Sequence, residues 1–403
     1  MKTTNIFKDK NFIECLKERT FDEKDRYIKI FNDKDEIIKE NIDKVIKIDC
    51  SECRIINIEG IHIFKNLKEL NLFYNWIEEI PKAIWNLKKL KILNLSYNKI
   101  KKLPNEIEKL KNLEILDLSD NEIEELSNEI GNLTNLKELN LFHNQIKKLP
   151  KEIWKLINLE EIDLSHNQIK ELLKEIWNLK KLKNLYLNYN QLKEIPKEIE
   201  QLINLEVLDL SHNQIKELPK EIGNLKKLKE LRLVNNKLQT LPEEIKNLNN
   251  LWWLNLSNNQ IKIIPKEICK LKNLEILMLN NNKIETLPKE ISELNNLKEL
   301  NLGYNKIEKL PKEILKLNKL QRIWLHNAFD LNNLNQKPEE LFKILKNLEE
   351  KKTNKEKNIL DTESLEYLKK EVYPVLCKKI EKKIKVNDLK QIKNNLNLDN
   401  LNF

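Results

Sequence analysis

The sequence predicts an α/β solenoid, in which short coils of one pattern stack so that their strands form a single parallel sheet. Three observations carry this expectation. Asparagine recurs at Asn75, Asn98, Asn121, Asn144, Asn167, Asn190, Asn213, Asn236, Asn259, Asn282 and Asn305, every 23 residues without a slip of register. Just before it apolar residues alternate with polar ones, as in Leu70-Asn71-Leu72, the period of a strand with one buried face. Both patterns stop near the two ends, where Ser51 and Ala328 stand in the asparagine column. A polar side chain kept inside a leucine-lined frame needs the same hydrogen-bond partners each time, and stacked coils supply them.

In chain order, residues 1–45 are charged and non-repetitive. Phe12, Ile13 and Leu16 are spaced on one helical face and Ile37, Ile38 and Ile42 on another, so a helical flank covering the open first coil is expected. Residues 46–328 hold about 12 coils, of which the first is longer by one residue. Past each asparagine the chain turns inward again at Ile77 and Ile80. It then returns along the outer side through Pro81-Lys82-Ala83-Ile84-Trp85-Asn86-Leu87. The i, i+3 spacing there suits one short helical or 3-10 turn, and proline fits its start because it fixes φ and lacks an N–H. Ser127 and Leu173 interrupt the proline column, and looser turns are expected at both. The asparagine amide, with two donors and an acceptor, should pair with backbone of its own turn and of the next coil.

Residues 329–403 leave the repeat. Pro338-Glu339-Glu340 opens a helix with Leu341, Leu345 and Leu348 on one face, and a polar linker spans 349–358. Asp361-Thr362 then caps a second helix with Leu365, Leu368, Val372, Leu376, Ile380 and Ile384 inward, bent at Pro374.

Composition narrows the function. Hydrophobic residues at 40% with 34% charged describe a soluble chain, and no stretch reaches the ~18 apolar residues of a membrane span. The first ten residues lack a signal-peptide run, and Cys15, Cys50, Cys53, Cys269 and Cys377 are odd in number and scattered. A reducing compartment follows, hence cytoplasmic residence, or secretion by a route without a signal peptide. The net charge of +9 is spread over Lys-Glu pairs such as Lys151-Glu152 and Lys220-Glu221, a mixed-sign surface that argues against nucleic acid or membrane as partner. The basic stretch Lys378–Lys385 keeps one alternative open, a peripheral adaptor on an anionic membrane or nucleic acid, although docking on the last coil is the plainer reading.

Catalytic patterns are missing. Cys50-Ser51-Glu52-Cys53 is a C-x-x-C without a redox-fold context or a second pair to complete a zinc site, so structural thiols are expected, with Cys53 about where Ile77 stands one coil later. Cys377 has no histidine in the tail to act as base, and Gly60, Gly131, Gly223 and Gly303 form no phosphate loop. His143 and His166 should be neighbours but lack a third metal ligand. No catalytic, cofactor-binding or metal-ligating residue is assigned.

The frames Leu70-Asn71-Leu72-Phe73-Tyr74-Asn75-Trp76-Ile77 and Leu116-Asp117-Leu118-Ser119-Asp120-Asn121-Glu122-Ile123 follow L-x-x-L-x-L-x-x-N-x-L, met in consecutive units from Leu67 to Ile307. The chain thus resembles the leucine-rich repeat family, in its 23-residue class. The resemblance implies a right-handed solenoid with a curved sheet on the concave side and short helical turns on the convex side. It also implies a non-enzymatic scaffold that binds another macromolecule, usually a protein, on the concave face. A host-directed effector with an enzymatic tail is a further reading, for which the tail is too short. The candidate contact residues are Tyr74, Tyr97, His143, His166, Tyr189 and His212, each just before an asparagine. To these are added the outward-facing Phe73, Phe142, Tyr186, Arg232, Trp253, Met278 and Trp324, side-chain types that interfaces favour.

Overall fold

From Glu69 to Lys316 each coil contributes a three-residue strand, a tight turn around its asparagine and a five-residue 3-10 turn on the far side. The computed structural model describes residues 6–352 and 357–381. These coils belong to two units, Met1–Asp209 and Leu210–Phe403. In the first, β1 (Thr20–Phe21) is followed by β2 (Lys47–Asp49), β3 (Glu69–Asn71), β4 (Ile92–Asn94), β5 (Ile115–Asp117), β6 (Glu138–Asn140), β7 (Glu161–Asp163), β8 (Asn184–Tyr186) and β9 (Val207–Asp209). From β2 onward the strands pair parallel in sequence order, Leu70 opposite Leu93 and Leu93 opposite Leu116. The second unit repeats this with β10 (Glu230–Arg232), β11 (Trp253–Asn255), β12 (Ile276–Met278), β13 (Glu299–Asn301) and β14 (Arg322–Trp324). In the three-residue strands the middle residue is buried and its two neighbours are more exposed, except that Asp209 of β9 is buried as well.

The core of a coil is a layer of apolar side chains, for example Leu70, Leu72, Ile77, Ile84 and Leu87, all buried. The asparagine closes the layer. Asn98 donates through Nδ2 to Leu95 O and Ser96 O of its own coil and to Leu72 O of the preceding one, while its Oδ1 accepts from Ile77 N at 3.0 Å. The expected partner in the next coil is therefore replaced by one in the preceding coil. The reason is that the backbone already points forward, Asn98 N donating to Asp120 O, so the side chain serves the groups left facing back.

The proline-free turns keep their form. Ser127 and Leu173 have φ of −65° and −66°, matching Pro81 at −62°, and Ser127 Oγ accepts the Glu129 amide. The expected looseness is confined to Leu172, half-buried where Leu149 and Ile195 are buried.

The first coil is corrected in register. Lys47 lies opposite Glu69 and Asp49 opposite Asn71, an offset of 22 residues. Cys53, not Ser51, takes the asparagine place, its thiol donating to Ser51 O as Asn75 donates to Phe73 O. Ile55, not Cys53, stands where Ile77 stands, and its amide donates to Asn75 Oδ1 at 2.8 Å as the Ile77 amide donates to Asn98 Oδ1.

The N-terminal flank is only partly helical. Helix α1 (Lys10–Glu18) is capped by Asp9 and buries Phe12 and Leu16 as expected. The face through Ile37, Ile38 and Ile42 instead divides between a hairpin and α2 (Lys39–Ile42). Residues 20–38 fold as two successive hairpins whose turns are organised by Asp22 and Asn32, each accepting two backbone amides. Strand β1 pairs antiparallel with β2 and covers the sheet edge. Phe7 packs edge-on against Phe12 and Phe31, with ring centroids 5.6 and 6.1 Å away, and over Gly60. Gly60 is required there, since its φ is +97° and an added Cβ would lie 2.6 Å from the Phe7 ring.

Cys15 and Cys50 form a disulfide, which joins α1 to the first coil. This overturns the expectation that both are thiols. Cys53, Cys269 and Cys377 are outside the disulfide, and burial pushes the Cys269 thiol up to about 12.

At the other end Ala328 is buried in the asparagine column, as expected. The chain then covers β14. Ile323 N donates to Ile359 O and Leu325 N to Ser364 Oγ, both at 2.8 Å. Helix α3 (Pro338–Glu350) buries Leu341, Phe342, Leu345 and Leu348. Asp361 caps α4 (Thr362–Tyr367), and α5 (Tyr373–Glu381) follows a π-helical turn over Leu368–Val372 that absorbs Pro374. Leu368, Val372, Leu376 and Ile380 are buried, but Ser364 rather than Leu365 faces in at the start. Ile384 and the basic residues Lys382, Lys383 and Lys385 lie outside the described residues.

Candidate interaction surface

The residue before each asparagine adopts the left-handed conformation, where the chain turns out of the strand. In the first unit these are Tyr74, Tyr97, Asp120, His143, His166 and Tyr189, with φ between 50° and 54°. That geometry projects their side chains along the rim of the sheet. Tyr74, Tyr97 and Tyr189 are 57%, 46% and 44% exposed.

The rim residues touch one another and the residues beside them. Phe73 meets Tyr97 edge-on at 5.3 Å, and Tyr74 and Tyr97 are 6.0 Å apart. Asp120 lies against the Tyr97 phenol and pushes it above its ordinary range. Asp120 Oδ1 is also 2.5 Å from His143 Nδ1. Phe142 packs edge-on against His166 at 5.0 Å, and His166 stacks on Tyr189 at 4.0 Å. One contact chain therefore runs from Phe73 to Tyr189. Sequence reasoning found its aromatic and histidine members but missed Asp120 as the link. The signal was available, since Asp120 occupies the same column 23 residues from Tyr97 and from His143.

Tyr186 stands on a strand rather than in the rim column. It is the third residue of β8, flanked on β7 and β9 by Asp163 and Asp209. Burial pushes the Asp163 carboxyl up, against the opposing hydrogen bonds from Ser165.

In the second unit Arg232 Cζ sits 4.5 Å over the Trp253 ring, and Arg232 Nη2 is 2.6 Å from Glu230 Oε2. The pair is a half-buried aromatic and guanidinium plate on neighbouring strands. Met278 and Trp324 occupy the Arg232 column on β12 and β14, with Asn301 of β13 between them, and Trp324 lies under Arg322 at 5.3 Å. His212 is left-handed at φ 55° and meets Asn235 at 3.0 Å. The other sheet edge of the first unit is ionic: Glu114 bridges Lys91 and Lys137 at 2.6 Å each, which holds its carboxyl down to about 2.

Comparison with known proteins agrees with this architecture. The family model for a leucine-rich repeat region matches residues 44–172, 170–251, 220–283 and 243–399. No curated protein matches the chain. Among solved structures, the chain is similar to an internalin from Listeria monocytogenes, with 26% identity and a TM-score of 0.71 over 82% of this chain and 94% of that one. It is similar to a leucine-rich repeat protein from Leptospira interrogans, with 35% identity and a TM-score of 0.55 over 77% of this chain and 96% of that one. It is also similar to the leucine-rich repeat ectodomain of the plant membrane receptor kinase GASSHO1/SCHENGEN3 from Arabidopsis thaliana, in complex with Casparian strip integrity factor 2. That match has 32% identity and a TM-score of 0.60 over 68% of this chain and 34% of that one.

The ectodomain match overturns the expectation of cytoplasmic residence, and the Cys15–Cys50 disulfide is of the kind that oxidising compartments preserve. Among the described residues no helix is long and apolar enough to cross a membrane. The 23-residue frame, the parallel three-residue strands, the asparagine seam and the family match over most of the chain give one answer: the chain belongs to the leucine-rich repeat family.

Proposed function

We propose that this chain is a non-enzymatic recognition protein that holds a protein partner on the exposed face and rim of its sheet, with Phe73 to Tyr189 as the principal contact. One observation carries the assignment. The left-handed rim position accepts asparagine at Asn235, Asn258, Asn281 and Asn327, where the backbone cost is smallest, yet in the first unit it holds tyrosine, histidine and aspartate at every coil from Tyr74 to Tyr189. Tyrosine there costs stability and exposes a ring. Contact with a partner offsets such a cost, because rings of low conformational entropy make strong anchors.

The plant ectodomain solved with its bound factor supports a protein as the partner class. Arg232 and Trp253, with Met278, Trp324, Tyr186 and His212, are secondary contacts in this reading. The plate of Arg232 on Trp253 is already self-paired and so is better suited to packing than to charge recognition. The flanks act as caps: α3 and α5 present their apolar faces inward, and Lys379 Nζ donates to Leu331 O, engaging one of the tail lysines internally.

The test is affinity capture from the native organism with wild-type chain and with Tyr74→Asn/Tyr97→Asn/His166→Asn as baits. A partner retained by wild type and lost from the triple variant is expected, with circular dichroism unchanged. Identical captured sets would move the contact away from the rim. A variant with Arg232→Ala and Trp253→Ala, run in parallel, measures the second patch.

A further inference from the structure

His326 lies in the last coil and is held rigidly. Tyr304 packs edge-on against its ring at 4.8 Å, and Gly303 leaves the space that ring fills, since an added Cβ would lie 2.9 Å from Nε2. The side chain is only 13% exposed. Its Nδ1 is shut off from solvent and has no hydrogen-bond partner, an arrangement that a buried polar atom rarely tolerates. The nearest charged atom, Glu363 Oε2, is 4.0 Å away, too far for a hydrogen bond.

Two carboxylates from the cap lie near this histidine, and Glu363 is the one measured against that nitrogen. Asp361 is fixed by accepting the Ser364 amide at 3.2 Å, and Ser364 in turn accepts the Leu325 amide, which ties the start of α4 to β14. Glu363, with a side chain 65% exposed, has room to swing. One ligand atom each from His326, Asp361 and Glu363 lies within 4.8 Å of the other two. Ligands on a zinc-like ion at 2.0–2.2 Å stand about 3.3–3.5 Å apart, so the three groups must draw together by up to ~1.5 Å, Glu363 by swinging in and Asp361 by turning toward the ring.

We propose that His326, Asp361 and Glu363 form a site for one divalent cation of the zinc class, clamping the C-terminal cap to the last coil. One imidazole nitrogen and two carboxylate oxygens are a donor set for a borderline first-row ion, with a fourth position left for water. The site is distinct from the His143 and His166 pair on the rim. Sequence spacing hides it, because His326 is separated from Asp361 by the whole of α3.

The experiment is calorimetric titration of the metal-stripped full chain with Zn²⁺, paired with thermal melts. Wild type should take up one equivalent, and its Tm should rise with Zn²⁺ concentration. Asp361→Asn/Glu363→Gln should bind at least ~100-fold more weakly. Its Tm in chelator should stay unchanged, since asparagine also caps a helix. His143→Gln/His166→Gln should bind as wild type does. No uptake by wild type, uptake undiminished in Asp361→Asn/Glu363→Gln, or uptake lost in His143→Gln/His166→Gln would each overturn the proposal.

Discussion

At the level of single residues the rim tyrosines set stability against recognition. A left-handed φ costs an ordinary L-residue roughly 1–2 kcal/mol, and asparagine bears less of that cost through its short polar side chain. Tyr74, at φ 54° and 57% exposed, recovers little by packing, since its contacts with Phe73 and Tyr97 are tilted and about 6 Å long. Tyr74→Asn alone is therefore expected to raise the unfolding free energy by ~0.5–1 kcal/mol in a denaturant titration. The same change should weaken partner capture. Opposite signs in the two assays separate a functional side chain from a structural one, whereas a loss in both would mean that Tyr74 supports the fold. The left-handed turn was not read from the sequence. The column was, because a fixed 23-residue offset brings its members together whatever backbone they adopt.

Within a coil the asparagine seam converts neighbours into one cooperative element. Asn190 donates to Leu187 O in its own coil and Leu164 O in the preceding one, and accepts the Ile169 amide at 2.9 Å. Replacing it with leucine leaves buried backbone groups on both coils without partners, at about 1–3 kcal/mol for each group stranded. Asn190→Leu is thus expected to lower stability by on the order of 3 kcal/mol, read as a fall in denaturant midpoint. An unchanged midpoint would mean that water replaces the amide. The seam was legible because it repeats. The N-terminal flank was not: Phe21-Asp22-Glu23-Lys24-Asp25 and Phe31-Asn32-Asp33-Lys34-Asp35 are successive turn signals, each with an Asx side chain holding two amides. Apolar spacing at Ile37, Ile38 and Ile42 outweighed them in the sequence reading, although no helix longer than α2 forms there.

Across the whole molecule, cysteine chemistry reports how the chain is closed. Denatured without reductant, the protein should take up three alkyl groups, on Cys53, Cys269 and Cys377, and two more after reduction. Mass spectrometry finding five before reduction would show the Cys15–Cys50 bond absent. In the native state Cys269, buried and pushed up to about 12, should stay unmodified at pH 8 while half-buried Cys53 reacts first. The sequence by itself determined the coil, its period, the strand, the outer turn and the family, because each rests on local spacing repeated many times. Tertiary structure alone decided the offset of 22 residues in the first coil, the joining of Cys15 to Cys50, the route from Tyr97 through Asp120 to His143, and the meeting of His326 with Asp361 and Glu363. Periodicity reports what a residue shares with its counterparts. It carries no information on contacts made once, between segments that the chain brings together only by folding.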